Sequence, residues 1–150
     1  MNVIKFGGTS VANAQNIQRS INITKQKSEK EPVIVVVSAL GGVTDLLLNA
    51  ATLASEKQDT YKEIVQSIET RHLDTVKKLI PVAGQSAVLS HVKRELNRLE
   101  TLLDGCSLLG ELSERTKDLI VSFGEMLSSY IISEALKAQG EDAALADSRE

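Results

Sequence analysis

Five β-branched residues follow one another without interruption from Val33 to Val37, introduced by Pro32 and closed by Ser38. In a helix each would lose side-chain freedom against the preceding turn, whereas a pleated strand accommodates them all. The run does not alternate either. A strand with one wet face alternates apolar and polar residues, while a continuous apolar run suits a strand covered on both faces, as in a parallel sheet. Parallel strands need a crossover, and the chain supplies one. Asn2–Phe6 reads as an earlier strand, and a helical segment at residues 12–27 carries Ile17 and Ile21 on one face. Strand, helix and strand in this order make a right-handed βαβ unit.

After Ser38 come the turn ALGGVT and a Leu- and Ala-rich helix at residues 45–56, with Thr44 placed to cap it. Two longer segments carry apolar stripes at helical spacing. The first, residues 59–80, repeats Tyr61, Ile64, Ile68 and Val76; the second, residues 85–103, repeats Val88, Val92, Leu96, Leu99 and Leu103. Pro81 and Gly84 fall between them, which predicts a helical hairpin. Ser113 is placed to cap a further helix that runs to Gly140, a C-terminal glycine, with Gly124 interrupting its apolar pattern. AALADSRE, residues 143–150, reads as a third buried strand. These elements predict an α/β fold, and a chain that stops on an uncovered strand is expected to be part of a larger domain.

The charge balance narrows the function. A net charge of −3 and few aromatics (two Tyr, two Phe, no Trp) argue against nucleic acid, which calls for a basic face or a stacking platform. The lysines of KQKSEKE are interleaved with acids and read as a solvated helix end. Cys106 is the only cysteine, so an internal disulfide and a two-cysteine metal site are excluded, and it reads as a small buried apolar residue. Residues 1–30 have no signal-peptide pattern, and the apolar stretches read as too short for a membrane span. A cytoplasmic protein is the expectation.

In a parallel α/β sheet ligands bind beyond the carboxyl ends of the strands. Three segments are expected there: KFGGTS, SALGGVT and SFGE. Gly7 and Gly8 remove side chains, so backbone N–H groups can approach an anion, and the helix that follows adds its positive end. Lys5 can reach over that turn, and a cation beside a backbone nest is a phosphate cradle. The plain alternative is a strand-to-helix connection, since a Gly-Gly turn is common. Neither the P-loop pattern nor the dinucleotide fingerprint is present. In the second turn, Gly41 and Gly42 lie between the hydroxyls of Ser38 and Thr44, and the two turns are expected to face one another. There too a plain connection, with Thr44 as cap, is the alternative.

Glu125 follows a glycine in an otherwise apolar helix, so it is expected to be partly buried. A buried carboxylate is costly unless paired, and its partner would be a ligand ammonium or Lys5. A glutamate facing solvent at a helix kink is the competing reading. His72 and His91 have no set of acidic or histidine neighbours at metal-ligand spacing and read as packing or surface residues.

Taken together, KFGGTSVANAQNI, VVVSALGGVTDLL and LIVSFGEMLSSYIISEAL resemble the N-terminal part of an aspartate kinase, of the amino-acid kinase superfamily. DGCSLLGELSERTKDLI resembles the segment before the SFGE or RGE motif of such enzymes. The resemblance extends over nearly the whole chain and is weakest between residues 57 and 104. It takes in single-function enzymes and the kinase portion of bifunctional aspartokinase–homoserine dehydrogenases. KFGGTS is its most specific part, since acetylglutamate, glutamate and uridylate kinases carry a shorter lysine-plus-glycine version.

The resemblance implies a three-layer sandwich, with a mainly parallel sheet and helices on both faces. The implied reaction is transfer of the ATP γ-phosphoryl to the side-chain carboxylate of L-aspartate, with Mg²⁺, in a cytoplasmic homo-oligomer. That reaction is the first step toward lysine, threonine and methionine. Lys5 would contact the transferring phosphoryl, Gly7, Gly8 and Thr9 would shape the cradle, Ser38 and Thr44 would hold the aspartate, and Glu125 would pair with its α-ammonium. No metal, membrane or nucleic acid would be held by this chain's own residues.

Three features of the family pattern do not occur in these residues: an aspartate that organises the site, an arginine for the substrate carboxylate and a GR-GSD segment that holds ATP. The resemblance therefore implies that residues 1–150 form the N-terminal part of the catalytic domain, with the aspartate side of the site and little or no activity alone. A related carboxylate kinase of the same superfamily, and a non-catalytic binding or assembly module, are the alternatives.

Overall fold

The computed structural model describes residues 1–149. Strand β1 (Asn2–Phe6) leads through a loop to helix α1 (Ala14–Ser28) and strand β2 (Val33–Val37). The strands pair in parallel, with Asn2 opposite Val33 and Phe6 opposite Val37. The expected βαβ unit is therefore present. Asn13 caps α1, its side chain accepting a hydrogen bond from the Asn16 amide, and Ile17 and Ile21 are buried as the periodicity predicts.

Four helices follow: α2 (Val43–Ser55), α3 (Tyr61–Leu79), α4 (Val82–Leu109) and α5 (Glu114–Ala138). The expected hairpin forms between α3 and α4, with Pro81 at the N-cap of α4. Ile68, Val76, Val92, Leu99 and Leu103 meet in a fully buried seam, and each such side chain stabilises the fold by about 1.5–3 kcal/mol. Gly110, in the left-handed conformation, ends α4, and Ser113 caps α5 as expected. Gly140 follows α5 at positive φ, and Glu141 N–H reaches back to the Leu136 carbonyl, so this end is closed in the manner of a glycine C-cap.

Three expectations need correction. Thr44 lies inside the first turn of α2, and the N-cap position belongs to Gly42, so the Thr44 hydroxyl does not cap the helix. Residues 143–149 pair with no strand, and the described sheet has two strands; Glu150, the last residue of the expected strand, lies outside the described residues. Helix α5 is 25 residues long with a mean hydropathy of 1.3 over its most apolar window, enough by length and composition to cross a membrane. Here it is a core helix, with 56% of that window buried inside the chain.

The helices cover one face of the sheet. Ile4, Val35 and Val37 pack against the core, whereas Val3, Ile34 and Val36 on the opposite face remain exposed. The continuous apolar run of β2 thus belongs to a strand whose second face is apolar but open in this chain.

Candidate functional site

The loop from β1 to α1 spends its carbonyls on the fold and leaves its first three amides open. Ser10 N–H closes a turn on Gly7 O at 3.0 Å. Thr9 O accepts from the Asn16 side chain at 2.9 Å, and Ser10 O accepts from the Ser20 hydroxyl at 3.0 Å. Among the described residues, the amides of Gly7, Gly8 and Thr9 have no hydrogen-bond partner. Three consecutive amides are thus available to an anion, as a phosphate cradle at KFGGTS would require.

The second loop lies directly against the first. Ser38 N–H donates to Phe6 O at 3.1 Å, joining the strand ends. A Cβ placed on Gly41 would come 3.0 Å from Ala12 Cβ and 3.2 Å from Gly8 O, so any larger residue would push the loops apart by a few tenths of an ångström. Gly42 turns the chain into α2 at φ 80°, a conformation that favours glycine. The expectation that the two glycine turns face one another is met.

Helix α5 seals this arrangement from below. SFGE is not a strand-to-helix turn but lies within the continuous helix, and Gly124 faces the second loop. A Cβ on Gly124 would sit 2.7 Å from Ala39 Cβ. One turn on, the buried Ser128 hydroxyl donates to Ser38 O at 2.7 Å. Gly124 and Ser128 thus fix the segment that carries the Ser38 side chain.

Lys5 is exposed at the end of β1, on the open face of the sheet with its register partner Val36. Glu125 is also exposed, which corrects the expected burial. Its neighbour Gly124 holds the helix against Ala39, so Glu125 stands at the outer side of that contact, and it forms no ion pair with Lys5. Thr44, half-buried in the first turn of α2, and Ser38 complete the set around the second loop. The site is open. A cavity of about 260 Å³ beside the first loop, lined by Phe6, Ser10, Asn16, Arg19, Ser20 and Ile23, includes none of the expected site residues.

Two polar residues lie beneath the loops: His72, which takes the packing role expected of it, and Arg71, which a reading by periodicity misses. Arg71 of α3 donates to Gly41 O at 2.6 Å and to Ala12 O at 2.8 Å, touching both loops at once. Its neighbour His72 is fully buried, with Nδ1 2.7 Å from Ile68 O and Nε2 without a partner. Burial pulls the His72 pKa down to about 4, and the adjacent Arg71 charge acts in the same direction against the Ile68 hydrogen bond. In sequence, Arg71 is one more charged residue on an amphipathic helix. His91, stacked on Tyr130, and the buried Cys106 take the packing roles expected of them.

The amino acid kinase family matches this chain over residues 1–150. The chain is 29% identical to the bifunctional aspartokinase/homoserine dehydrogenase 1, chloroplastic, of Zea mays over 99% of its own length and 16% of that protein's. It is 37% identical to the aspartokinase 1, chloroplastic, of Arabidopsis thaliana, covering 94% of the chain and 24% of the relative. The crystal structure of E. coli aspartokinase III in complex with aspartate and ADP superposes with a TM-score of 0.80 at 26% identity, over 95% of this chain and 30% of that one. The chain thus spans between a sixth and a third of the length of these proteins.

Proposed function

Because the chain belongs to the amino acid kinase family, we propose that it forms the acceptor side of an aspartate kinase site, where the ATP γ-phosphoryl passes to the side-chain carboxylate of L-aspartate. Residues 1–150 are, in this reading, the N-terminal part of the catalytic domain. The observation that carries it is the pairing of the loops: the first, with its unpaired amides at Gly7, Gly8 and Thr9, meets the loop of Ser38 where Gly8 and Ala12 lie against Gly41. The similarity to aspartokinases supports the choice of acceptor.

The chemistry asks for what these residues offer. An oxygen of the aspartate carboxylate attacks the γ-phosphorus, the bond to the β,γ-bridging oxygen breaks, and ADP leaves with the electron pair. Two anions must be brought together, so positioning and charge neutralisation dominate. Lys5 neutralises the transferring phosphoryl, and the Gly7–Thr9 amides cradle its oxygens. The hydroxyls of Ser38 and Thr44 orient the aspartate, and Glu125 pairs with its α-ammonium. An exposed Glu125 suits that role, because it is free to meet an incoming cation.

Mg²⁺ belongs to this reading as an ion carried on the nucleotide phosphates, where it supplies further charge neutralisation. No group of three His, Cys, Asp or Glu able to hold a metal ion occurs among the described residues. A cytoplasmic location and a homo-oligomeric enzyme come with the reading on resemblance alone.

The test is ATP-dependent acyl-phosphate formation, trapped with hydroxylamine. The complete gene product and the 150-residue chain are assayed side by side with L-aspartate and Mg²⁺. Hydroxamate from the complete product, and little from the 150-residue chain, is expected. A folded, soluble complete product that forms none would overturn the kinase reading in favour of a binding module. Full activity in the 150-residue chain would overturn its assignment as one part of the catalytic domain.

A further inference from the structure

We propose that Arg71 is a positioning residue that sets the spacing between the two glycine loops, and through it the distance from phosphoryl donor to carboxylate acceptor. The inference deepens the kinase reading above and rests on it. One planar guanidinium spans both loops, with Nη1 2.6 Å from Gly41 O and Nη2 2.8 Å from Ala12 O. Apart from the Ser38–Phe6 bond at the strand ends, no hydrogen bond among the described residues joins the first loop to the second. Contact at Gly41 keeps the loops from moving closer, but contact alone does not keep them from parting. Arg71 supplies the restraint in that direction.

Its anchorage is firm. Arg71 lies on α3, whose core side chains Ile68 and Val76 are fully buried, and the Thr75 hydroxyl donates to its carbonyl at 2.7 Å. Among the described residues it has no carboxylate partner; its charge is met by carbonyl oxygens alone. A cation therefore stays beneath the region where two anions are to meet. Lysine could not replace it, because an ammonium is a point donor on a flexible stem and cannot present a fixed fork to two carbonyls.

A strut of this kind predicts a definite kinetic pattern. Each loop keeps its own ligand contacts when Arg71 is lost, so binding of either substrate changes little. The reacting atoms drift apart, and misplacement by about 1 Å costs about a hundredfold in rate. In the complete gene product, Arg71→Met and Arg71→Lys should each lower kcat per folded molecule by about ten- to a hundredfold, with both KM values within about threefold of the parent. Arg71→Lys should not rescue Arg71→Met. A role in folding alone would reduce the amount of folded enzyme and leave kcat per folded molecule intact, and that result would overturn the proposal.

A second measurement does not depend on activity. Hydrogen exchange should accelerate in Arg71→Met at the Ala12 and Val43 amides, whose turn bonds flank the two carbonyls that Arg71 holds, with the β1–β2 ladder unchanged. Unchanged loop exchange would overturn the proposal even if kcat fell. Should the parent protein prove to have no phosphoryl-transfer activity, the kinase reading fails by itself, and exchange still decides whether Arg71 ties the loops.

Discussion

At Gly7 neither backbone nor packing asks for a glycine: its φ is not positive, and a Cβ there would have no atom within 4 Å. What remains is an approaching ligand, for which a methyl group beside the open amides would be an obstruction. Gly7→Ala should therefore leave the melting temperature unchanged or slightly raised, since the unfolded chain loses freedom. Phosphoryl transfer should fall at least about tenfold. Equal activity in Gly7→Ala would remove Gly7 from the cradle. Lys5 gives the complementary case. It is exposed and holds no ion pair among the described residues, so Lys5→Met should fold as the parent does. A drop of about 10²–10³ in kcat is expected for the loss of one donor to developing charge. Hydroxylamine trapping together with a thermal melt measures both halves of that prediction, and a melt lowered in step with activity would show that Lys5 serves the fold.

Helix α5 carries a cost that its contacts explain. A glycine inside a helix is about 1 kcal/mol less favourable than alanine, yet Gly124 stands near the middle of a 25-residue helix. The reason is the 2.7 Å that would separate its Cβ from Ala39 Cβ. Gly124→Ala should thus destabilise the protein by about 1–3 kcal/mol through overpacking, against its gain in helix propensity. Urea unfolding would measure this, and a stabilised variant would mean that α5 is free to shift off the Ser38 segment. The same helix marks the limit of what periodicity reveals. The stripes of α1, α3 and α4 were legible because burial on one side writes a repeat into the sequence, and β2 was legible because five β-branched residues in a row suit a strand and not a helix. Gly124 looked like a break because its reason lies across space, on Ala39. Thr44 looked like a cap because Gly42, which takes that position at positive φ, leaves no side-chain signal.

The candidate site draws on residues from distant parts of the chain, and its legibility divides accordingly. Lys5, Gly7, Gly8, Ser38 and Thr44 could be read from two local strand–turn segments. Arg71 and Ser128 could not, because each acts through backbone oxygens of loops distant in sequence. The buried His72 shows how the interior beneath those loops couples to the stability of the entire chain. Helix α3 packs against α1, α2, α4 and α5, so a charge at His72 is opposed by the whole core. Its pKa is about 4 in the folded chain, against an ordinary 6.5 for a solvated imidazole. Between these values the unfolded state binds the proton and the folded state does not, so stability is full above pH 6.5 and declines as the pH falls toward 4. Below that, both states carry the proton and this contribution stops changing. The accumulated loss is on the order of 3 kcal/mol. His72→Gln removes the titrating group and leaves every carboxylate of the chain in place. The difference between parent and variant in urea midpoint, followed from pH 7 to pH 4, should narrow or reverse as the parent loses stability. Parallel pH profiles for the two proteins would mean that His72 takes its proton without opposing the fold, through a partner for Nε2 that the folded core provides.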